Sequence, residues 1–272
     1  MPDLDITASL RYLIPTGERP VYVASQGGAD AAMNIGADFE QREVAVRNAR
    51  ELSPPASLDH QGFCLLRHES GVEDFYHLQA ALPAYEQEIS ALVLAATGGS
   101  DALVFDHTLR SDSSDIRGER TIREPASVIH NDYTDASADK RLRDLLPEGE
   151  AEQRLQRRFA IVNLWRSVRG TVWNSPLALC DASTLAPSDL VAAERRALDR
   201  VGELELVSYN PAHAWYYFPE MTYEEALLIK TFDSSRDGRA RRSIHTAFDN
   251  PLAPADAPPR ESMESRLLVF FD

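Results

Sequence analysis

The sequence has 272 residues, of which 43% are hydrophobic and 26% are charged, and its formal net charge is -15. A chain of this length and composition can bury a full hydrophobic core and fold on its own. The negative charge repels phosphate backbones and anionic lipid surfaces, so it disfavours nucleic-acid and membrane partners and favours a small-molecule partner. It also disfavours a strongly anionic substrate relative to a neutral or cationic one.

The cysteines and the N-terminus bear on the cellular compartment. Cys64 and Cys180 both lie in apolar runs, which indicates reduced thiols in the core rather than a disulfide. The N-terminus has no basic stretch followed by an apolar one, and no run of apolar residues is long enough to cross a membrane. We therefore expect a cytoplasmic protein. A homodimer is one oligomeric state that the sequence leaves open.

In the first hundred residues, short strand-like runs alternate with segments rich in Gly, Pro and Ser. Strands are predicted at 20–25 and 63–69. Pro83 interrupts a helical pattern, which continues over 84–96 until a pair of glycines ends it. We expect residues 1–100 to form an N-terminal α/β extension packed on the rest of the fold.

The remainder of the chain is dominated by strand-like segments. Runs rich in β-branched and aromatic residues predict strands at 102–111, 126–134, 158–168, 176–183, 202–210, 214–219 and 260–271. Helices are predicted at 135–149 and 187–200, the second with Ser188 or Asp189 as its N-cap. This pattern predicts a mainly β (α+β) fold with N-terminal and inserted helices, in which residues 101–272 form a double-stranded β-helix core, a jelly roll of the cupin type.

His130 and Asp132 stand two residues apart at the end of a predicted strand, and His245 lies far downstream. In an extended segment, residues i and i+2 point to the same side, so this imidazole and this carboxylate can converge on one point. Two imidazoles and one carboxylate on one face of a divalent metal leave the opposite face open for a co-substrate and O₂. The alternative for the His-x-Asp spacing is a structural histidine that is hydrogen-bonded to Asp132.

The predicted terminal strand carries on one face, by its period-two spacing, Arg260, Ser262, Glu264 and Arg266. An Arg-x-Ser pair can bind the distal carboxylate of a dicarboxylate co-substrate through a guanidinium and a hydroxyl. Arg260 with Ser262 is the first choice for this role, and Arg266 is the substitute. The alternative is that one of the arginines only pairs with Glu264 or Glu261.

Five segments together resemble a known family: IHNDYTD, RFAIVNLWRSVRGTVWNSPLALCDAS, YNPAHAWYYFPEMTYEEALLIKTFDS, SIHTAF and PPRESMESRLLVFF. Over 122–271 they resemble the fungal gibberellin-desaturase-like family, which includes the cephamycin methoxylation subunit type. Its members are regarded as iron(II)- and 2-oxoglutarate-dependent oxygenases of secondary metabolism with a double-stranded β-helix core. The resemblance implies Fe(II) and 2-oxoglutarate as cofactors, and one oxygenase domain over 1–272.

By the same resemblance, His130, Asp132 and His245 are the iron ligands and the catalytic residues, and the chain hydroxylates or desaturates a small molecule with O₂. The alternative is a catalytically silent, cupin-like metal-binding partner subunit of a biosynthetic enzyme, because one type in the family works beside a methyltransferase-like partner. A hydrolase finds no support, since the sequence has neither a Gly-x-Ser-x-Gly elbow nor a Cys–His pairing.

Four further side chains are predicted to contact the substrate: Tyr133, Asn163, Arg166 and Tyr217. Strand parity opposes Asn163 and Arg166 pointing the same way, so we expect one of them to be structural. Tyr217 lies in an aromatic run for which ordinary core packing is the alternative. Tyr133 stands where the family often has a Gln or a similar polar residue, which leaves the substrate class open.

Overall fold

The computed structural model describes residues 4–198 and 200–272, and in this part of the chain fifteen strands form two sheets. The strands are β1 (Ile6–Ile14), β2 (Val21–Val23), β3 (Met33–Ile35), β4 (Asp38–Asn48), β5 (Phe63–Arg67), β6 (Asp101–Ser111), β7 (His130–Asn131), β8 (Phe159–Ser167), β9 (Leu177–Cys180), β10 (Leu190–Arg196), β11 (Val201–Val207), β12 (Trp215–Tyr217), β13 (Glu225–Asp233), β14 (His245–Ala247) and β15 (Glu261–Phe270). The α-helices are α1 (Leu82–Thr97), α2 (Ser114–Arg120), α3 (Asp135–Leu145) and α4 (Glu148–Leu155).

The larger sheet has ten strands in the order β1-β4-β12-β9-β14-β7-β11-β10-β2-β3, and the smaller has five in the order β5-β13-β8-β15-β6. A hydrophobic cluster joins the two sheets, with Trp165 and Ile229 from the smaller sheet and Leu179 from the larger one. The prediction of a mainly β fold is therefore confirmed.

Helix α1 covers the outer face of the five-stranded sheet. Pro83 lies in its first turn, where a missing backbone N–H costs nothing, and Gly98 ends it with a φ of 70°. The buried residues Tyr85, Ile89 and Val93 recur at four-residue spacing and pack in the same cluster as alternate residues of β8 and β15. The outward-facing side chains of these two strands are thereby committed to core packing.

Strands β8 and β15 are the central pair that brings polar side chains to the inside of the fold. They are antiparallel, with Arg266 opposite Asn163 and Ser262 opposite Ser167. Nearly every residue of both strands is buried, because one face of the sheet meets α1 and the other meets the ten-stranded sheet. Since alternate residues point to opposite faces, Asn163, Ser262, Glu264 and Arg266 share the inner face.

The prediction of a helix over 187–200 is wrong. Only Pro187–Asp189 forms a short 3-10 helix, and the chain then enters β10, which pairs with β11 and β2. The N-cap predicted at Ser188 or Asp189 is therefore not the start of an α-helix. Sheet pairing overrides the helical propensity of this Ala-, Glu- and Arg-rich segment.

Strands β1 and β4 were not predicted, yet they form a nine-residue antiparallel ladder at one edge of the larger sheet. Polar residues interrupt both, singly in β1 and as the run 40–43 in β4, so neither has the apolar run that marks a buried strand. Both Cys64 and Cys180 are free, as predicted, and burial raises the pKa of each thiol to about 12. Within the described ranges, no helix is long and apolar enough to span a membrane.

Candidate metal centre

Two adjacent strands of the larger sheet place His130 and His245 side by side. His130 lies on β7 and His245 on β14, and the two residues are direct partners in the antiparallel ladder. Their ring centroids are 4.6 Å apart, and Asp132 follows directly after β7. One ligand atom from each of the three residues lies within 4.8 Å of the others. The structure therefore brings together the three residues that the sequence predicts as metal ligands.

Hydrogen bonds fix which imidazole nitrogen of each histidine is available to a metal. Nδ1 of His130 lies 2.7 Å from the carbonyl oxygen of Val128, and Nδ1 of His245 lies 3.1 Å from that of Ser243. A carbonyl oxygen only accepts, so each Nδ1 carries a hydrogen, and in the neutral ring Nε2 is the nitrogen with the lone pair. Burial, with the neighbouring His245, lowers the pKa of His130 to about 4, so its ring is neutral near pH 7.

One oxygen of Asp132 is committed to protein donors, and the other is free. Oδ2 accepts from Nδ2 of Asn163 at 2.7 Å and from Nε of Arg266 at 3.0 Å. Burial alone would raise the pKa of Asp132, but the Arg266 guanidinium and the two imidazoles hold it well below its usual value. The carboxylate is therefore ionised, with Oδ1 left for one metal bond.

The alternative of a structural His130–Asp132 hydrogen bond does not fit this geometry. Nε2 of His130 lies 3.6 Å from Oδ1 of Asp132, which is too long for a hydrogen bond. A metal ion about 2.1 Å from each of these two atoms can bridge a gap of this size. The lone pairs and the free oxygen therefore fit a divalent iron bound by two imidazoles and one carboxylate.

Local hydrogen bonds set the turn that carries Asp132. Nδ2 of Asn131 donates to the carbonyl oxygen of Tyr133 at 2.7 Å and to Glu205 at 2.8 Å. Helix α3 then begins with a capping box, in which Thr134 and Ser137 exchange side-chain-to-backbone hydrogen bonds. The chain is thus fixed on both sides of the ligand.

Arg266 contacts three carboxylates, those of Asp132, Asp106 and Glu264. Burial would lower its pKa, but these three groups raise it well above the usual value. The alternative that an arginine of this strand pairs with Glu264 therefore holds for Arg266. Each of its three guanidinium nitrogens donates to a protein carboxylate.

Arg260 has a different environment. Its side chain is buried, its Nε donates to Oγ of Ser262 at 3.0 Å, and its guanidinium lies over the Trp165 ring, 5.0 Å from the centroid. Another donor binds the carbonyl oxygen of Ser175. Among the described residues no carboxylate oxygen lies within ion-pair distance of this guanidinium, and burial together with Arg110 lowers its pKa to about 9.

Two cavities, of about 210 and 280 Å³, open beside the ligands. His130 lines the first, and Asp132 and Arg266 line both. Arg260 and Ser262 line neither cavity, although Arg110, the cross-strand neighbour of Ser262, lines the first. The first cavity thus reaches from the metal ligands to within one strand of the Arg-x-Ser pair.

Of the four predicted substrate contacts, two lie beside a metal ligand or a cavity and two do not. Asn163 touches Asp132, and Tyr133 lines the second cavity. Arg166 points to the opposite face of β8, where it donates to His68, and Tyr217 packs in a core cluster with its hydroxyl on the carbonyl oxygen of Leu4. Strand alternation places Arg166 away from both cavities, and Tyr217 lines neither of them.

Two residues of the cavities, Arg123 and Arg195, were missed by the sequence reasoning. Arg195 lies on β10, in the segment predicted as a helix, and shares a face with the fully buried Ala193. Reading this segment as a strand would have placed Arg195 on the inside. Arg123 lies in an irregular segment after α2, and no local pattern marks it.

Comparisons with known proteins agree with this geometry. The family model described as "YDMC: Oxidoreductase/YMDC permease-like domain" matches residues 10–270. The hydroxylase/desaturase efuI of Hormonema carpetanum is 30% identical over 256 residues, covering 86% of this chain and 85% of that protein. The hydroxylase/desaturase CTB9 of Cercospora beticola is 32% identical over 259 residues, covering 86% and 78%. The alpha-ketoglutarate-dependent dioxygenase phiK of a fungal species is 30% identical over 276 residues, covering 98% and 96%.

A solved structure supports the same relationship. The iron and alpha-ketoglutarate-dependent endoperoxidase NvfI superposes with a TM-score of 0.83 at 26% identity, covering 98% of each chain. This likeness confirms the predicted jelly-roll core. The resemblance to fungal iron(II)- and 2-oxoglutarate-dependent oxygenases is also confirmed, at the level of that broad family.

Proposed function

The chain belongs to the family of fungal iron(II)/2-oxoglutarate-dependent oxygenases, and on this premise we propose that it hydroxylates or desaturates a small molecule of secondary metabolism. It is a 2-oxoglutarate-dependent dioxygenase, an oxidoreductase that uses Fe(II) and O₂. The observation that carries the proposal is the group formed by His130, Asp132 and His245, whose ligand atoms lie within 4.8 Å of one another.

When bound, iron(II) and 2-oxoglutarate supply the activation of O₂ needed to remove a hydrogen atom from a C–H bond. The protein residues prepare the site for this chemistry. As neutral imidazoles, His130 and His245 would present the lone pair of Nε2, and Asp132 presents a single oxygen. The three ligands occupy one side, so the cavity side stays open.

Asn163 and Arg266 act as positioning residues. Both donate to Oδ2 of Asp132, which orients the carboxylate and leaves Oδ1 toward His130. Outer hydrogen bonds of this kind set the orientation and basicity of metal ligands. We assign Arg266 to this role rather than to the co-substrate, because its donors are already satisfied by three carboxylates.

We propose Arg260 and Ser262 as the site for the distal carboxylate of 2-oxoglutarate. A buried guanidinium without an acidic partner is costly, and a carboxylate is the group that relieves this cost. Next to it, the buried Nε1 of Trp165 has no hydrogen-bond acceptor among the described residues. The guanidinium lacks a carboxylate partner and the indole N–H lacks an acceptor, and a carboxylate of 2-oxoglutarate would supply both.

Succinate formation tests the proposed function. We expect the native chain with Fe(II) to convert 2-oxoglutarate slowly to succinate without a prime substrate, and His245→Ala to form none. The matched control is His60→Ala, since His60 is exposed and its side chain makes no hydrogen bond among the described residues. Equal succinate formation by the native chain and His245→Ala would contradict the proposed function.

The alternative of a catalytically silent partner subunit receives no support, because the relatives are named as hydroxylases, desaturases and dioxygenases. We further propose that residues 1–272 form one oxygenase domain, since β1–β4 and β5 pair with strands of the two sheets.

The two free cysteines support a cytoplasmic location, where thiols remain reduced. The narrower grouping with gibberellin-desaturase-like proteins and the cephamycin subunit type rests on the resemblance of the sequence segments. The net charge of -15 supports a small-molecule substrate over nucleic acid or membrane, and a homodimer is the oligomeric state that we propose to test.

A further inference from the structure

The cavity beside the metal ligands is lined by more arginines than carboxylates, although the protein as a whole is acidic. Five arginines line the first cavity: Arg11, Arg110, Arg123, Arg195 and Arg266. Two carboxylates, those of Glu124 and Asp132, also line it, and Asp106 and Glu264 pair with Arg266 from outside the lining, which leaves an excess of one positive charge. The formal net charge of the chain is -15, so this excess is local to the cavity.

The arginines differ in how they are paired. Arg266 contacts three carboxylates, and Arg110 lies 3.8 Å from Glu264 and donates to the carbonyl oxygen of Glu124. By contrast, within residues 4–198 and 200–272, the side chains of Arg123 and Arg195 have neither a hydrogen bond nor an ion pair to the protein. Arg123 and Arg195 also line both cavities, so they are the arginines available to a ligand from either side.

The backbones that carry these two arginines are fixed. The N–H of Arg123 donates to Leu109 and its carbonyl oxygen accepts from Ser111, which ties it to the edge of β6. Arg195 lies inside the larger sheet, opposite Gly202 on β11 and Tyr22 on β2. The two side chains therefore extend from fixed backbones and line the cavities beside the metal ligands.

Unpaired guanidiniums in a partly buried site are unfavourable unless an anion binds them. Burial lowers the pKa of both Arg123 and Arg195, and neighbouring arginines lower it further. Bound Fe(II) adds two positive charges, and 2-oxoglutarate, placed at Arg260 in the proposed function, brings two negative ones. The cofactors together thus leave the net charge around the cavity unchanged.

We propose that Arg123 and Arg195 form an anion subsite of the substrate cavity, and that the molecule oxidised carries a carboxylate that binds between these two guanidiniums. This inference rests on the proposed function, because it names the substrate class of the same site. It reverses the expectation, drawn from the net charge, that an anionic substrate is disfavoured. A low-dielectric cavity responds to the charges that line it more than to those on the outer surface.

The test uses benzoate and benzamide as probes, which share a skeleton and differ in charge. Each is titrated by calorimetry into the full chain saturated with Mn(II) and 2-oxoglutarate, at constant ionic strength. We expect benzoate to bind at least about tenfold more tightly than benzamide, the size expected for one charge-assisted contact. Arg123→Gln and Arg195→Gln should remove this preference, and Arg195→Lys should retain part of it. The matched control is Arg157→Gln, at an exposed arginine that lines neither cavity.

The affinity for 2-oxoglutarate, measured on the same variants, separates the two sources of a carboxylate. If it is unchanged in both Gln variants while the preference for benzoate is lost, the anion subsite belongs to the substrate. If the affinity for 2-oxoglutarate falls and the preference for benzoate persists, the two arginines bind the co-substrate and the inference is overturned. Equal binding of benzoate and benzamide by the native chain would also overturn it. Failure of the native chain to bind Mn(II) and 2-oxoglutarate would instead overturn the proposed function, and this inference with it.

Discussion

The side-chain amide of Asn163 donates to Oδ2 of Asp132 at 2.7 Å, and this contact joins the centre of the five-stranded sheet to the turn that carries a metal ligand. The same amide nitrogen also donates to Glu264 at 2.7 Å. Asn163 is fully buried, so its position is fixed by packing as well as by these bonds. The orientation of the ligand therefore depends on the register of β8 and β15.

Replacing Asn163 by Leu should weaken metal binding without removing a ligand. The variant keeps the number and branching of side-chain heavy atoms but leaves Oδ2 of Asp132 with Arg266 as its remaining donor. We expect the affinity for Mn(II) to fall by about 10- to 100-fold, the usual effect of losing an outer hydrogen bond. Gln153→Leu, at an exposed amide on α4, is the control. An unchanged Mn(II) dissociation constant for Asn163→Leu would show that the contact does not orient the ligand.

Replacing Arg260 by Gln should weaken the binding of 2-oxoglutarate and leave metal binding intact. The loss of a buried charge-assisted pair corresponds to about 2–5 kcal/mol. Titration of 2-oxoglutarate into the Mn(II)-loaded variant measures this effect, and Arg236→Gln, at an exposed arginine, is the control. If the affinity of the Arg260 variant equals that of the native chain, the distal carboxylate binds elsewhere, and the cavity-lining Arg110 becomes the next residue to replace.

Replacing Arg266 by Gln should destabilise the fold as well as the metal site. Three carboxylates would lose their shared cation, and two of them, Asp132 and Glu264, are largely buried. We expect the free energy of unfolding, measured in urea, to fall by about 3–5 kcal/mol. Arg143→Gln, which breaks an exposed pair with Glu152, should leave the unfolding midpoint unchanged. A fully stable Arg266 variant would contradict a structural role for this guanidinium.

Replacing Arg166 by Met should leave both cofactor affinities unchanged. Arg166 is fully buried, but it faces His68 and the layer of α1 rather than the cavities. Its Nε and Nη1 have no hydrogen-bond partner, so an unbranched apolar side chain can replace it without disturbing the metal ligands. Titrations of Mn(II) and 2-oxoglutarate measure the outcome. A loss of about tenfold in either affinity would mean that the outer face of β8 is coupled to the site.

The sequence predicted those parts of the site that follow from local spacing. The His-x-Asp pair converges because an extended segment points alternate side chains the same way, and the same rule put Arg260, Ser262, Glu264 and Arg266 on one face. Strand parity also anticipated that Asn163 and Arg166 diverge. What spacing cannot give is the partner of each side chain, so the saturation of Arg266 by three carboxylates became visible only in the folded chain.

The parts that escaped prediction depend on long-range pairing. The segment of β10 has the composition of a helix, and it is a strand because β11 and β2 offer it backbone partners. Arg123 and Arg195 are 72 positions apart and meet at the cavity only through the packing of both sheets. The charge of the cavity therefore could not be inferred from the charge of the chain.

Diffraction from crystals of the native chain grown with Mn(II) and 2-oxoglutarate tests the central claim most directly. Anomalous scattering locates the metal without reference to any assumed ligand. The account predicts one Mn(II) ion bound by Nε2 of His130, Nε2 of His245 and Oδ1 of Asp132, with 2-oxoglutarate on its open side. A metal bound through other atoms or at another place, or no metal at these three residues, would contradict it.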